Sequence, residues 1–451
     1  MWVTIGSCAL VFLGAFESLA VTTIMPVVSI ALNGANLYAL AFAGPLATGV
    51  IGMVISGNWS DRRGPVLPLY TSSVLFTAGL VIAGTATSMV TLVAGRLVQG
   101  FGTGAVIVAL YVVIARVYPP RLHPSIFAGF AAAWVIPSLV GPVAAGAITE
   151  LFTWHWVFLS VVGLVVIATA MVGPALRRLP QRETDTSAPW AFGRIAWAAV
   201  AALAVLSLSI LSEIQNIGGL LAGIAAIVAI GAARPLLPTG TLSARRGLPN
   251  VILLRGLAAA AFFGAEVYLP YLLIENYRFS PSLAGLALTL GALAWSGASW
   301  LQGRMTGKLS NSQCTTIGSS LVLVAILVAF ATSLFALPPG IAISGWILGG
   351  GGMGLMYPRI STMTLAMSTP ANQGFNSAAL SISDSMGGAL ALATTGIVFA
   401  ALAATGLSFP GVFAFAAAIA IVAILIAPRV SPSGADAVVD AGHAVAADTA
   451  S

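Results

Sequence analysis

Long apolar runs divide this sequence, and they restrict its fold more than any other feature. A helix that crosses a bilayer needs about 20 consecutive residues that are mostly apolar. About fourteen runs of this kind follow one another along the chain. They are 4–30, 36–57, 66–87, 90–116, 125–149, 154–176, 192–213, 217–233, 250–274, 281–303, 315–335, 340–364, 374–402 and 407–428. We therefore predict an all-α polytopic membrane protein with about fourteen transmembrane helices.

The composition excludes other classes of protein. Of 451 residues, 59% are hydrophobic and only 7% are charged, whereas soluble domains carry about 25% charged residues. A water-soluble globular protein, a disordered chain and a disulfide scaffold are therefore excluded. The net charge of +6 does not indicate a nucleic-acid partner, because most of the basic residues flank apolar runs, where they set membrane topology.

The basic residues also orient the predicted helices. If the helices alternate in direction, most Arg residues and the single lysine, Lys308, fall on one side of the membrane, and Arg278 stands alone on the other. Cytoplasmic loops carry the excess of Lys and Arg. We predict cytoplasmic N and C termini in a multi-pass protein of the plasma (inner) membrane. The Ala-rich, Arg-over-Lys composition favours a bacterial source.

The two ends of the chain are weakly similar to each other. Glycines at 100, 102 and 104 match glycines at 350, 352 and 354, and further matches keep the same order at an offset of about 245–250. This predicts two pseudo-symmetric six-helix bundles with two helices inserted between them, and a substrate site near the bilayer midplane. The predicted domains are an N-terminal bundle (1–176), a cytoplasmic linker with the two inserted helices (177–249), a C-terminal bundle (250–429) and a disordered cytoplasmic tail (430–451).

A charged junction follows the second apolar run. It contains Gly57, Asp61, Arg62 and Gly64. Glycine permits close helix approach, and the charges stand at a helix end. The alternative interpretation is an ordinary positively charged turn.

An arginine lies inside the fourth run, at Arg96 in the pattern RxxQGxGxG. Arginine at the centre of a bilayer costs at least about 2.5–3.5 kcal/mol, so its side chain must face a partner or a watery cavity. The glycines after it favour helix packing over nucleotide binding, because no strand precedes them and no GK[ST] follows.

The fifth run carries Pro137, Gly141, Pro142 and Gly146. Prolines remove backbone donors and bend a helix, and glycines create a packing face. A purely structural kink is the alternative interpretation, since both residues are common in transmembrane helices.

Three carboxylates lie inside apolar runs: Glu17, Glu266 and Asp384. An ionisable residue at membrane depth indicates a functional site by default, and a carboxylate there can bind and release a proton. Glu17 and Arg96 lie at similar depths, so we hypothesise that they interact or share a cavity. The alternatives for each acid are a structural ion pair and a polar residue that faces a water-filled cavity.

Aromatic side chains are candidates for the wall of a substrate cavity. We select Trp134, Tyr268, Trp346 and Tyr357, because aromatic rings in transmembrane helices adapt to varied apolar ligands. Each of them could instead serve helix packing or interfacial anchoring.

These motifs resemble those of the major facilitator superfamily, most closely its fourteen-span drug:proton antiporter branch. The resemblance implies that residues 57–64 form a cytoplasmic latch, which lacks the family's usual further basic residues at 65–68. It also implies that Arg96 belongs to the proton-coupling machinery, that Glu17 takes the place of an acid in the family's first span, and that the Gly141–Gly146 segment is the motif typical of antiporters. We predict that Glu17, Asp384 and Glu266 take part in proton coupling with Arg96.

The predicted function is secondary active transport, by which protons enter while a lipophilic or cationic compound leaves by alternating access. The predicted partners are an amphiphilic small molecule, protons and the lipid bilayer. Neither a cofactor nor a metal is expected, because a proton gradient drives the cycle, and the protein is expected to be a monomer without enzymatic activity. Two alternatives stay open: a substrate-specific metabolite or lipid transporter of the same fold, and a membrane protein without transport activity.

Overall fold

The computed structural model describes residues 2–118, 123–176, 190, 192–212, 217–304, 309–368 and 373–431. Within these ranges the chain forms α-helices joined by short turns and 3-10 helices, without a strand. The helices are α1 (Trp2–Ala31), α2 (Tyr38–Arg63), α3 (Val66–Gly84), α4 (Met89–Val117), α5 (His123–Leu151), α6 (His155–Leu176), α7 (Phe192–Ser212), α8 (Gly218–Ala233), α9 (Leu248–Glu266), α10 (Tyr268–Tyr277), α11 (Pro281–Arg304), α12 (Asn311–Phe335), α13 (Pro339–Ala366), α14 (Gln373–Ala401) and α15 (Ser408–Ile426). The predicted all-helical membrane fold is confirmed.

Eleven helical segments in the described ranges are long and apolar enough to cross a membrane, and α9 and α10 count as one of them. Helices α5, α7 and α13, which cover three of the predicted runs, are not among the eleven. Val140–Leu151 of α5 and Phe192–Leu208 of α7 form shorter apolar segments. Helix α13 is long, but its row of glycines lowers its hydropathy. The number fourteen therefore stays a prediction.

The helices pair in the same way in the two halves of the chain. In the first half α1 contacts α5 and α6, α4 contacts α2 and α3, and α3 contacts α6. In the second half α9 contacts α14 and α15, α13 contacts α11 and α12, and α12 contacts α15. This repeated order agrees with the predicted internal repeat.

Glycines allow the central helix of each half to touch its neighbours. A Cβ at Gly104 of α4 would overlap the backbone of Gly49 in α2, and a Cβ at Gly354 of α13 would overlap the backbone of Trp295 in α11. Small residues let helix backbones approach closely in a membrane. The glycine rows that indicated the repeat therefore serve the same packing role in both halves.

The two halves meet along two seams, α2 with α14 and α5 with α11. Helix α7 contacts α2, α14 and α8, so the inserted helices lie beside the first seam. Helices α2 and α15 run towards Arg63 and Arg429 at one end of the bundle, here called the basic end. The opposite end, where α5 finishes at Leu151 and α11 begins at Pro281, is called the far end.

Two adjacent glycines of α13 provide a matched test of this packing. A Cβ at Gly350 would overlap the Gly291 carbonyl, whereas one at Gly351 meets no atom within 4 Å. We expect Gly350→Ala to lower the thermal unfolding temperature of the detergent-solubilised protein, because overpacking costs about 1–3 kcal/mol. Gly351→Ala should leave it unchanged or raise it, because Ala favours a helix by about 1 kcal/mol over Gly. Equal unfolding temperatures for the two variants would contradict the packing.

Candidate functional site

A buried ion pair joins α1 to α4 in the first half. Arg96 donates from Nη1 to Glu17 Oε1 and, at 2.8 Å, to Gln99 Oε1. Its Nε donates to the backbone carbonyl of Ala41 in α2 at 3.1 Å. The Arg96 and Glu17 side chains are each only 6% exposed. We call Glu17, Arg96 and Gln99 the N-terminal charge network.

This network explains how two charges are tolerated at membrane depth. Each charge alone would carry a large desolvation cost, which the pairing and the hydrogen bonds offset. Removing one partner from a buried pair costs about 3–5 kcal/mol, because the other charge is left uncompensated.

A second charged group lies in the other half. Arg255 of α9 donates from Nε to Asp384 Oδ1 of α14 at 2.7 Å, and the Tyr357 hydroxyl of α13 donates to the same oxygen at 2.9 Å. The Arg255 guanidinium lies 3.5 Å from the centre of the Tyr357 ring. The Arg255 and Asp384 side chains are 18% and 27% exposed. These three residues, here called the C-terminal triad, are thus more open than the N-terminal charge network.

Arg255 is not among the residues selected from the sequence. An arginine near the basic end of α9 can extend its side chain to the membrane surface, but Arg255 pairs with Asp384 inside the bundle. The two residues carry opposite charges in segments that start at the basic end, and this signal was available in the sequence. The sequence lacked the information that α9 and α14 are neighbours.

Glu266 is the third intramembrane carboxylate, and it belongs to neither group. It is the last residue of α9, half-buried, and among the described residues it forms no ion pair. The chain continues through Val267 into α10, where Pro270 follows. Proline lacks an N–H, so the Glu266 carbonyl has no helical donor four residues on. The structure thus separates the three predicted acids instead of gathering them.

The motif on α5 lies at the seam between the two halves. A Cβ at Gly146 would lie 2.6 Å from Ser282 Cα, and a Cβ at Gly285 would lie 2.6 Å from the Pro142 carbonyl oxygen. The Ser282 N–H donates to Glu150 Oε1 at 3.0 Å. Together these contacts hold α5 against α11 near the far end.

The remaining motif residues of α5 lie deeper. Pro137 is buried, and α5 is helical through both Pro137 and Pro142. A Cβ at Gly141 would lie 3.5 Å from the ring of Phe16. Phe16 immediately precedes Glu17 in α1. The motif therefore contacts α1 on one side and α11 on the other.

An aromatic cluster, which the sequence did not predict, joins the halves at the far end. The Tyr38 hydroxyl of α2 donates to the Val267 carbonyl at 2.7 Å. Its ring lies 4.7 Å from that of Tyr271 and 5.7 Å from that of Tyr268, and Phe399 stacks on Tyr271. Tyr268, a predicted cavity residue, is fully buried in this far-end aromatic cluster.

Two of the other predicted cavity residues lie around one aromatic pair. Trp346 is fully buried and stacks on Phe262 with the ring centres 4.9 Å apart. Trp295 contacts Phe262 and also contacts Tyr357 of the C-terminal triad at 5.1 Å. Trp134, by contrast, is 46% exposed on α5.

The predicted latch lies where α2 ends at the basic end. Gly64 has a φ of 78°, which glycine adopts without strain, and its N–H donates to the Ser60 carbonyl at 3.0 Å. The Arg62 guanidinium lies 5.1 Å from the centre of the Trp190 ring. Gly57 faces α4, and the side chain of Asp61 lies outside the described part of the structure.

The chain shows long sequence similarities to known proteins. The chain is 25% identical over 369 residues to the multidrug efflux pump SdrM of Staphylococcus aureus, which covers 80% of this chain and 81% of the pump. It is 28% identical over 356 residues to a triacylglyceride transporter of Mycolicibacterium smegmatis, which covers 76% of this chain and 57% of that protein. Both relatives are named as transporters.

The fold and the family profile agree with these similarities. The crystal structure of a D-xylose–proton symporter matches with a TM-score of 0.69 at 13% identity, covering 96% of this chain and 98% of the symporter. The profile described as Major Facilitator Superfamily matches residues 8–392. The chain therefore belongs to the Major Facilitator Superfamily and is a membrane transporter, not an enzyme.

Proposed function

We propose that the protein is a proton-coupled antiporter that exports lipophilic or cationic compounds by alternating access. The observation that carries this proposal is the buried ion pair between Glu17 and Arg96, which a single proton can disrupt. The similarity to a multidrug efflux pump favours the outward direction of transport.

The proton step follows from the charge balance of the N-terminal charge network. With Glu17 ionised, the pair is neutral and ties α1 to α4. A proton on Glu17 removes that attraction, while Arg96 keeps Gln99 and the Ala41 carbonyl as partners. Helix α1 also contacts α10 and α11 of the second half, so a looser contact between α1 and α4 alters the seam along which the two halves rock against each other.

The contacts at the far end define one state of the proposed cycle. The α5–α11 seam and the far-end aromatic cluster close that end of the bundle. With the basic end facing the cytoplasm, this state excludes the outside. Opening would separate α5 from α11 while the two six-helix bundles, 1–176 and 250–429, move as units in a fourteen-span arrangement.

A lipid transporter is a second candidate, because the chain is similar to a triacylglyceride transporter. The two candidates differ in their cargo. Transport measured in vesicles that contain triacylglycerol and in vesicles that contain cationic dyes distinguishes the two candidates. The antiporter proposal requires dye movement that depends on the pH gradient.

Glu17→Gln tests the proton step. Purified protein in vesicles with an imposed pH gradient should export cationic and lipophilic dyes, and Glu17→Gln should lose the part of transport that the gradient drives. The amide cannot carry the exchanged proton, although it keeps the shape of the side chain. Dye fluorescence reports the rate.

Glu275→Gln is the matched control. Glu275 is an exposed acid in the last turn of α10, and its loss should leave transport unchanged. If Glu17→Gln transports with an unaltered pH dependence, the role of Glu17 is wrong. If no gradient drives export of any compound by the wild type, antiport itself is wrong.

Gly146→Val tests the closed far end. Valine would collide with Ser282, and the overpacking penalty of about 1–3 kcal/mol should shift the protein towards states that are open at this end. Thr23 is buried where α1 meets Gly285. A cysteine introduced there by Thr23→Cys should then react faster with an impermeant maleimide. The background replaces Cys8 and Cys314 by Ala.

Gly163→Val serves as the control for this measurement, because a Cβ at Gly163 of α6 meets no atom within 4 Å. It should leave the labelling rate of the reporter unchanged. Equal rates in the Gly146 and Gly163 variants would show that the α5–α11 contact does not hold the far end closed.

A further inference from the structure

The internal repeat assigns a counterpart to Arg96. Helix α13 begins at Pro339 and α4 begins at Met89, and the same offset of 250 relates Gly350 to Gly100. Both glycines pack closely against the preceding neighbour helix, α11 or α2. At this offset the position of Arg96 is occupied by Trp346.

The exchange of arginine for tryptophan removes a positive charge from the second half. Trp346 is fully buried, and its Nε1 faces the Glu266 carboxylate. This nitrogen has no hydrogen bond of good geometry within the described part of the chain. The counterpart of Gln99 at the same offset is Gly349, so that polar partner of the arginine is missing as well.

Glu266 stands close to the position that corresponds to Glu17. The segment α9–α10 (Leu248–Tyr277) and α1 (Trp2–Ala31) are related by an offset of 246 at both ends. This offset pairs Glu17 with Phe263, and Glu266 lies three residues later, about one helical turn along the same face. Each half therefore holds one carboxylate beside the same position of its central helix, and only the first half supplies a cation there.

An uncompensated carboxylate at membrane depth is stabilised either by a proton or by an external cation. Phe263 and Trp295 stack with their ring centres 6.5 Å apart, and both are half-buried. Aromatic faces attract organic cations.

The other titratable groups near Glu266 are neutral tyrosines. Tyr357 of α13 is within electrostatic range, Tyr268 follows on α10, and Tyr38 of α2 binds the next carbonyl. Helices α12 and α15, which also pack on α9, carry no charged residue. Arg255 lies eleven residues away on α9, about 16 Å at 1.5 Å per residue, and it is paired with Asp384.

We infer that Trp346, standing where the first half has Arg96, makes Glu266 the carboxylate at which a proton and an organic monocation compete, with Phe263 and Trp295 receiving the cation. Trp346 is on this view a specificity-determining residue. Glu17 keeps its fixed partner and responds to protons alone. This inference rests on the proposed antiport function and divides its two tasks between the halves.

The test measures binding of two dyes to purified protein by fluorescence anisotropy at pH 6 and pH 8. Ethidium is a permanent organic monocation, and Nile red is a neutral lipophilic dye. The wild type should bind ethidium more tightly at pH 8. Glu266→Gln should weaken ethidium binding by about tenfold or more, since a buried charge partner is lost, and should abolish the pH dependence while Nile red binding persists.

Trp346→Arg restores the charge found in the first half and should have the same effect as Glu266→Gln, because the new guanidinium neutralises Glu266. Trp346→Phe keeps an aromatic ring without a charge and should retain ethidium binding. Glu275→Gln, at the exposed acid of α10, should behave as the wild type. The conservative Glu266→Gln keeps the test valid if Trp346→Arg does not fold.

The inference is overturned if Glu266→Gln retains pH-dependent ethidium binding, if it loses both dyes equally, or if Glu275→Gln loses ethidium binding as well. Failure of the antiport proposal has a different signature. In that case ethidium binding would require Glu266, but no pH gradient would drive transport by the wild-type protein. This result would support the site and contradict antiport.

Discussion

A charge that leaves water for a bilayer needs a partner, and the arrangement of this bundle depends on how that need is met. The first half satisfies it completely: Glu17, Arg96, Gln99 and a backbone carbonyl close a network with almost no exposed surface. The second half satisfies it partially, since the C-terminal triad is more exposed and Glu266 has no cationic partner among the described residues. The two halves thus share a fold and differ in their electrostatics.

Close backbone packing restricts the side chains of Arg96 and Trp346. The glycines of α4 and α13 bring each central helix against two neighbours, so the side chain at position 96 or 346 has few rotamers available. A guanidinium held in this way can connect three helices through short hydrogen bonds. The same glycines explain why α13 is less apolar than α4, the central helix of the first half, and still lies inside the bundle.

The sequence predicted the helices well, because apolar length is a local property. It also predicted that Glu17 and Arg96 interact, since their depths could be counted along two helices. It did not reveal that Arg255 pairs with Asp384 or that Tyr38 binds Val267, because both contacts depend on which helix faces join. Likewise, an aromatic residue such as Trp346 looks the same in sequence whether its ring lines a cavity or packs in a core.

Internal repeats carry information that neither depth nor residue type provides. A repeat sets an expectation for each position, so a departure from it isolates one chemical change in an otherwise equivalent environment. Here Trp346 stands in place of Arg96 and Gly349 in place of Gln99, which changes the charge beside a carboxylate while Gly100 and Gly350 keep equivalent close contacts. A pseudo-symmetric fold can therefore assign a proton-responsive pair to one half and a cation-responsive acid to the other.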